Sequence, residues 1–113
     1  MSEFSTALSD GELDQLANLL RLLSDKTRLT IVLLLSRGER NVTSLCEELR
    51  LPQPTVSHHL GLLRSSNLVA NRRDGKQVFY VLNGRENHRS SEVTLPLAFA
   101  AARFNVSIAH QAD

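Results

Sequence analysis

The sequence has little of what disulfide-bonded or membrane-spanning proteins depend on. Its 113 residues include one cysteine, Cys46, one tyrosine and no tryptophan. A single thiol cannot close a disulfide within the chain, which excludes a disulfide-stapled scaffold. Apolar runs such as Ile31 to Leu35 are far shorter than the roughly 20 residues of a membrane-spanning helix. Because the first residues also lack the regions of a signal peptide, we expect a soluble cytoplasmic protein with no membrane partner.

The chain is too short for an enzyme with separate cofactor and substrate domains. Its 113 residues match the length of one domain, so we predict a single unit over 1–113. A glycine-rich phosphate loop is lacking, and Ser57 beside His58 has no recognisable third group that would orient a catalytic base. We therefore expect no enzymatic activity and no cofactor.

The net charge of +1 conceals one basic stretch. Residues 1–20 carry four acidic and no basic side chains, whereas residues 50–77 carry five basic side chains and one acidic side chain. A local basic surface is typical of nucleic-acid binding, although a solvated surface that holds several arginines has the same composition. The order of the secondary-structure elements has to distinguish the two.

Apolar spacing predicts helices along the first 66 residues. We expect four of them, over about 11–24, 26–37, 43–49 and 54–66. Asp10 and Asp25 precede the first two helices and are the predicted N-caps. In the fourth helix, Val56, Leu60 and Leu63 recur at helical intervals and form the predicted buried side.

Two segments after the fourth helix predict a β-hairpin. They cover residues 68–73 and 76–82 and are separated by Asp74-Gly75. This dipeptide is typical of a type I′ turn, which needs positive φ at both central residues. The tip of the hairpin would carry the basic residues Arg72, Arg73 and Lys76.

The last segment predicts a fifth helix that is apolar on two sides. Residues 83–94 are polar and without a period, which indicates a loop, and the helix is expected over about 94–110. A chain of this size has one core, so the second apolar side would meet another copy of the chain. We predict a homodimer joined by the terminal helices 11–24 and 94–110. The predicted interface residues are Leu16, Leu19, Leu95, Phe99, Ala102 and Val106.

This order of elements predicts a winged helix-turn-helix, a mainly α fold of about five helices plus a two-stranded wing hairpin. The turn over 50–53 has the length that holds the third helix across the fourth. The fourth helix would present its polar side to the major groove of double-stranded DNA. The predicted contacts from this recognition helix are Gln53, Thr55, Ser57, His58 and His59. Further contacts are predicted from Thr43, Ser44, Arg72, Arg73 and Lys76.

The alternative is that these residues form only the solvated side of a surface helix. A polar face of small side chains, a basic hairpin tip and a dimerising helix in one short chain favour DNA binding. Gln53 is suited to a bidentate contact with adenine. We expect each subunit of the dimer to read one half of an inverted-repeat operator.

Three motifs are distinctive: Leu23 to Leu29 (LSDKTRL), Gln53 to Leu60 (QPTVSHHL) and Arg72 to Lys76 (RRDGK). With the sequence around them, from about Leu20 to Leu82, they resemble the arsenic-repressor family, also called ArsR/SmtB, of dimeric bacterial winged-helix repressors. The resemblance implies a repressor that occupies an operator near its own gene and leaves it when an effector binds. The sequence does not identify that effector.

The usual metal sites of that family have no counterpart in this sequence. The resemblance implies a Cys-Val-Cys-type motif at the start of the third helix, where this chain has Asn41-Val42-Thr43-Ser44. It also implies an Asp-x-His pair followed by two later ligands. The corresponding positions are Gly84-Arg85-Glu86, Leu97 and Ala100. Neither set can supply the four ligands that zinc prefers, so we predict no metal site.

Other reactive side chains leave alternatives open. Cys46 lies on the apolar side of the third helix, where a thiol is usually inert, and redox sensing is the alternative. His58 and His59 point about 100° apart on a helix, which argues against a shared metal. His88, Glu92 and His110 form a disfavoured further metal set. Two other functions stay open, a protein–protein interaction module and a metal-sensing repressor with non-standard ligands.

Overall fold

Helices occupy the first part of the chain and strands the rest. The computed structural model describes residues 9–83 with their side chains, and residues 92–99 and 102–109 by their backbone. The elements are α1 (Asp10–Leu23), α2 (Lys26–Leu35), β1 (Arg40–Asn41), α3 (Val42–Leu49), α4 (Gln53–Ser65), β2 (Val69–Asp74), β3 (Gln77–Leu82), β4 (Glu92–Phe99) and β5 (Ala102–Ala109). The four helices predicted over the first 66 residues are confirmed.

Side-chain caps fix the starts of the first two helices. Ser9 Oγ accepts a hydrogen bond from the Glu12 amide at 3.1 Å, and Glu12 Oε1 accepts one from the Ser9 amide at 2.9 Å. This capping box needs a three-residue spacing, which is why Ser9 caps α1 and the predicted cap Asp10 does not. The prediction for α2 is confirmed, because Asp25 Oδ1 accepts from the Arg28 amide at 3.0 Å.

One hydrophobic core joins the four helices to the wing. The residues with no exposed surface include Ile31 and Leu35 of α2, Leu45 of α3, and Val56, Leu60 and Leu63 of α4. The predicted buried side of α4 is therefore confirmed. Leu19 of α1, which we predicted at a dimer interface, is only 4% exposed and packs in this core.

The turn between α3 and α4 is short and sharply shaped. Arg50 ends α3 in the left-handed conformation, with φ of 57°, and the Leu51 amide donates to the Cys46 carbonyl at 3.2 Å. Leu51 and Pro52 then turn the chain into α4, since the residue before a proline avoids the helical region. Pro54 fits the first turn of α4, where its missing N–H has no partner to lose. The predicted helix-turn-helix is confirmed.

The wing belongs to a three-stranded antiparallel sheet with the strand order β1-β3-β2. Its register pairs Asp74 with Gln77 and leaves Gly75-Lys76 as the loop. Gly75 has φ of 64° while Lys76 does not have positive φ, a combination that fits a type II′ turn. The predicted type I′ turn with Asp74-Gly75 at its centre is therefore wrong by one residue.

Strand β1 was not predicted. It pairs Arg40 with Tyr80 and Asn41 with Phe79, so the chain before α3 is hydrogen-bonded to the wing. A strand of two residues is too short to show the alternation by which strands are recognised in a sequence.

The helix predicted over 94–110 is wrong. The backbone over 92–99 and 102–109 forms a pair of antiparallel strands in which Leu95 pairs with Val106 and Leu97 with Phe104. Apolar residues recur at every second position in both halves of this segment, a period that suits strands and competes with the helical one. The predicted interface residues Leu95, Phe99, Ala102 and Val106 lie on β4 and β5 and therefore not on a helix. The described part of the chain has four helices in place of about five, and it has β1, β4 and β5 in addition to the two predicted wing strands. The mainly α, winged helix-turn-helix class of the fold is as predicted.

None of the helices in the described ranges combines the length and the hydropathy that crossing a bilayer requires.

Candidate nucleic-acid interface

The N-terminal half of α4 carries the exposed polar side chains of this helix that we predicted to contact DNA. Among the predicted recognition residues, Gln53 and His58 are exposed, while Thr55, Ser57 and His59 are half-buried. The first turn of α4 carries no acidic side chain. The positive end of the α4 helix dipole is therefore not offset by an acidic side chain on the same turn.

Gln53 is held in place by its own helix. Its Nε2 donates to Ser57 Oγ at 2.9 Å, a contact that four-residue spacing on a helix allows. An amide has two donor hydrogens and an acceptor oxygen, so one N–H and Oε1 of Gln53 stay available. These are the two groups that a bidentate contact with adenine uses.

The start of α3 is joined to the wing by Asn41. Asn41 Oδ1 caps α3 by accepting from the Ser44 amide at 2.7 Å, and its Nδ2 donates to Gln77 Oε1 at 3.3 Å. Thr43 is exposed one residue into the helix. Thr43, Gln53 and Lys76 all line one crevice of about 190 Å³. Predicted contact residues from α3, α4 and the wing thus meet at one place.

Arg72 of the wing is engaged within the chain. Its Nε and Nη2 donate to the two carboxylate oxygens of Glu39 at 2.8 and 2.7 Å, and its guanidinium lies 4.7 Å from the centre of the Phe79 ring. The hydrogen bond from Arg72 lowers the pKa of Glu39 below its usual range, and the same bond raises the pKa of Arg72. Arg73 and Lys76 are exposed and, within residues 9–83, form no ion pair. They are the cations that the wing leaves free for a polyanion.

The two neighbouring histidines of α4 face different surroundings. His58 is exposed on the polar side, whereas His59 is half-buried and its Nδ1 lies 3.0 Å from Arg28 Nη1. His59, which we predicted as a DNA contact, is thus already hydrogen-bonded to α2.

The predicted metal and redox residues are only partly described. Within the described residues, no three side chains of the types His, Cys, Asp or Glu converge. Cys46 is half-buried and packs against the core. Leu97 and Glu92 lie on β4. Gly84, Arg85, Glu86, His88, Ala100 and His110 lie outside the described residues.

Glu39 and Arg28 are the residues of this surface that sequence reasoning missed. Glu39 meets a partner 33 positions away and Arg28 one 31 positions away. Local spacing carries no signal at such a separation.

Comparison with known proteins agrees with this geometry. The model of a family described as "Bacterial regulatory protein, arsR family" matches residues 25–71. The transcriptional regulator KmtR of Mycobacterium tuberculosis is 35% identical over 83% of this chain and 70% of its own length. The chain belongs to the arsR family. The relatives that it matches are named as transcription regulators and repressors, which agrees with the expectation of a regulator without enzymatic activity.

Other relatives share the central part and the fold. The arsenical resistance operon repressor of Escherichia coli is 52% identical over 58% of this chain, a match that spans only 56% of the repressor's length. Among solved structures, the homodimeric winged helix-turn-helix DNA-binding domain Mb0332 of Mycobacterium bovis has a TM-score of 0.62 and 34% identity. The match covers 71% of this chain and 77% of the Mb0332 chain.

Proposed function

We propose that this arsR-family protein is a sequence-specific DNA-binding repressor that acts as a homodimer on an inverted-repeat operator. The observation that carries the proposal is the crevice at which Thr43, Gln53 and Lys76 meet. The amide of Gln53 can contact base edges in a DNA groove. Lys76 and the start of α3 at Thr43 can contact the phosphates beside it.

The contacts divide between reading bases and neutralising phosphates. Gln53 presents a free acceptor and a free donor to base edges, and His58 is exposed beside it. Arg73 and Lys76 supply positive charge without a competing acidic partner in the described chain. Phosphate contacts give affinity that depends on salt, whereas base contacts give specificity.

Exposed leucines on α1 support the homodimer. Leu13 and Leu20 are 41% and 49% exposed, and they lie on nearly the same side of the helix because seven residues make about two turns. A second copy that packs its own α1 there would remove this apolar surface from water, as symmetric dimers do. The Mycobacterium bovis relative is described as homodimeric, which supports the same assembly here.

Fluorescence anisotropy with the DNA upstream of the protein's own gene tests the proposal. We expect at least about 10³-fold tighter binding than to a random duplex and a steep loss of affinity between 50 and 200 mM salt. Equal affinity for both duplexes, or an affinity independent of salt, would instead favour a winged-helix module that binds proteins.

Release by an effector is tested on the preformed complex. Candidate small molecules and divalent metals are added at fixed protein concentration, and the loss of anisotropy is followed. Because the proposal names no metal site, we expect zinc and arsenite to leave the complex intact. Stoichiometric release by a metal would support the alternative of a metal sensor with non-standard ligands.

A further inference from the structure

Arg28 connects three helices through one side chain. Its Nε donates to the Leu22 carbonyl at the end of α1 at 2.7 Å, and its Nη1 lies 3.0 Å from Nδ1 of His59 on α4. The side chain itself belongs to the first turn of α2 and is only 16% exposed. We call this set of contacts the Arg28 bridge.

The chemistry of the bridge fixes the tautomer of His59. A guanidinium can only donate hydrogen bonds, so Nδ1 of His59 must accept and the ring proton resides on Nε2. Asp25 completes the surroundings, since its Oδ2 lies 3.9 Å from Arg28 Nη1. The hydrogen bond from the Arg28 amide also lowers the pKa of Asp25, which keeps this carboxylate charged beside the guanidinium.

The bridge joins the proposed dimer helix to the proposed reading helix. Leu22 lies two residues after Leu20 on α1, and His59 lies six residues after Gln53 on α4. Six residues of helix are about 9 Å long, so a tilt of α4 at His59 displaces Gln53. The hydrophobic effect that buries one side of α4 is itself non-directional, whereas hydrogen bonds weaken steeply when their angle changes.

We propose that Arg28 is a positioning residue for DNA binding, which acts through His59 to fix α4 against α1 and so sets the spacing of the two recognition helices in the dimer. This inference rests on the proposed function. A dimer reads two half-sites about 34 Å apart, and a change in the orientation of α4 would misplace both reading ends at once.

The first test compares substitutions that remove or restore the acceptor. His59→Leu and Arg28→Met leave one partner unsatisfied, and we expect each to weaken binding to a selected inverted-repeat operator about tenfold. His59→Asn places an amide oxygen near the position of Nδ1 and has a similar helix propensity to histidine. It should recover most of the affinity that His59→Leu loses.

A half-site duplex and a double variant separate positioning from other roles. We expect Arg28→Met to lose affinity for the inverted repeat but little for a single half-site, at a temperature well below its unfolding midpoint. The double variant Arg28→Met/His59→Leu should bind no more weakly than the weaker single variant. Arg37→Met is the matched control, because Arg37 is an exposed arginine just beyond α2.

Each result has a defined meaning. Equal losses on the inverted repeat and the half-site, additive losses in the double variant, or no recovery in His59→Asn would overturn the positioning role. If Arg28→Met binds the operator as the parent chain does, only this inference fails. If the parent chain binds no DNA, the proposed function fails and this inference fails with it.

Discussion

At the scale of single residues, the contacts that a side chain can make with DNA depend on the hydrogen bonds that it already forms within the chain. Gln53 donates to Ser57 yet retains one N–H and Oε1, whereas Arg72 uses its guanidinium on Glu39. Both residues were predicted from the sequence as DNA contacts, but they differ in the hydrogen-bonding groups that remain free for DNA. Their substitutions should give different signatures.

Gln53→Ala is expected to weaken binding to the operator by about 1–3 kcal/mol and to change binding to random DNA little, because a bidentate base contact is lost. Anisotropy titrations against both duplexes measure the two values. Ser65→Ala, at the other end of α4, is the control. An equal loss on both duplexes would show that Gln53 does not read bases.

Arg73→Ala is expected to weaken binding to every sequence and to reduce the slope of log affinity against log salt by about 0.9, the contribution of one phosphate contact. Arg72→Gln should leave that slope unchanged, because Glu39 already neutralises the Arg72 charge. Titrations at four or more salt concentrations give both slopes. The assignment of Arg72 fails if its substitution lowers the slope as much as that of Arg73.

At the scale of elements, the wing is fastened to the chain before α3 in two ways. Strand β1 pairs Arg40 and Asn41 with β3, and Glu39 binds Arg72 of β2. The wing is therefore part of a sheet and not a free hairpin, which would be only marginally stable by itself.

Acidification should weaken the Glu39 contact. The pKa of Glu39 lies below its ordinary value because Arg72 donates to the carboxylate. The stability that this bond contributes is therefore complete above the ordinary carboxyl pKa and is lost as pH falls through the lowered value. We expect this loss to set in only below the ordinary glutamate pKa of about 4.3.

Glu39→Gln isolates that contribution. The variant should have a lower unfolding temperature than the parent chain at pH 6. On acidification its unfolding temperature should fall by fewer degrees than that of the parent chain. Thermal unfolding from pH 6 to pH 3 measures both. Parallel pH profiles for the two proteins would contradict the assignment.

The elements also show what the sequence could and could not predict. The apolar spacing of α4 is unambiguous, and its buried residues Val56, Leu60 and Leu63 were predicted correctly. The segment that forms β4 and β5 satisfies both a helical and an alternating period, so spacing alone could not decide between them. The Glu39–Arg72 and Arg28–His59 contacts depend on the folded arrangement of distant elements, which local patterns do not contain.

At the scale of the whole molecule, α1 carries the surface on which the proposed assembly depends. Leu13 near its start and Leu20 near its end are exposed, while Leu19 and Leu23 of the same helix are buried in the core. One helix thus serves the core on one side and offers an apolar surface on another. That surface is the basis of the proposed homodimer.

Leu20→Asp is expected to dissociate the homodimer, because it places a charge in an apolar contact between two copies. Sedimentation velocity at micromolar concentration should show a monomer, and binding to the inverted repeat should weaken with it. Gln15→Asp is the control, since Gln15 is exposed about 140° around α1 from Leu20. A Leu20→Asp variant that stays dimeric would show that the copies meet elsewhere.

The two-residue loop at the end of the wing has a practical consequence. Gly75 and Lys76 are exposed, and the strands on either side are held in register by six residue pairs. Exposed loop tips are also where insertions are best tolerated. An engineer could therefore graft a short peptide tag or a fluorophore attachment sequence between these residues while the strand pairing is retained, and so obtain a reporter whose signal changes when the wing meets a duplex.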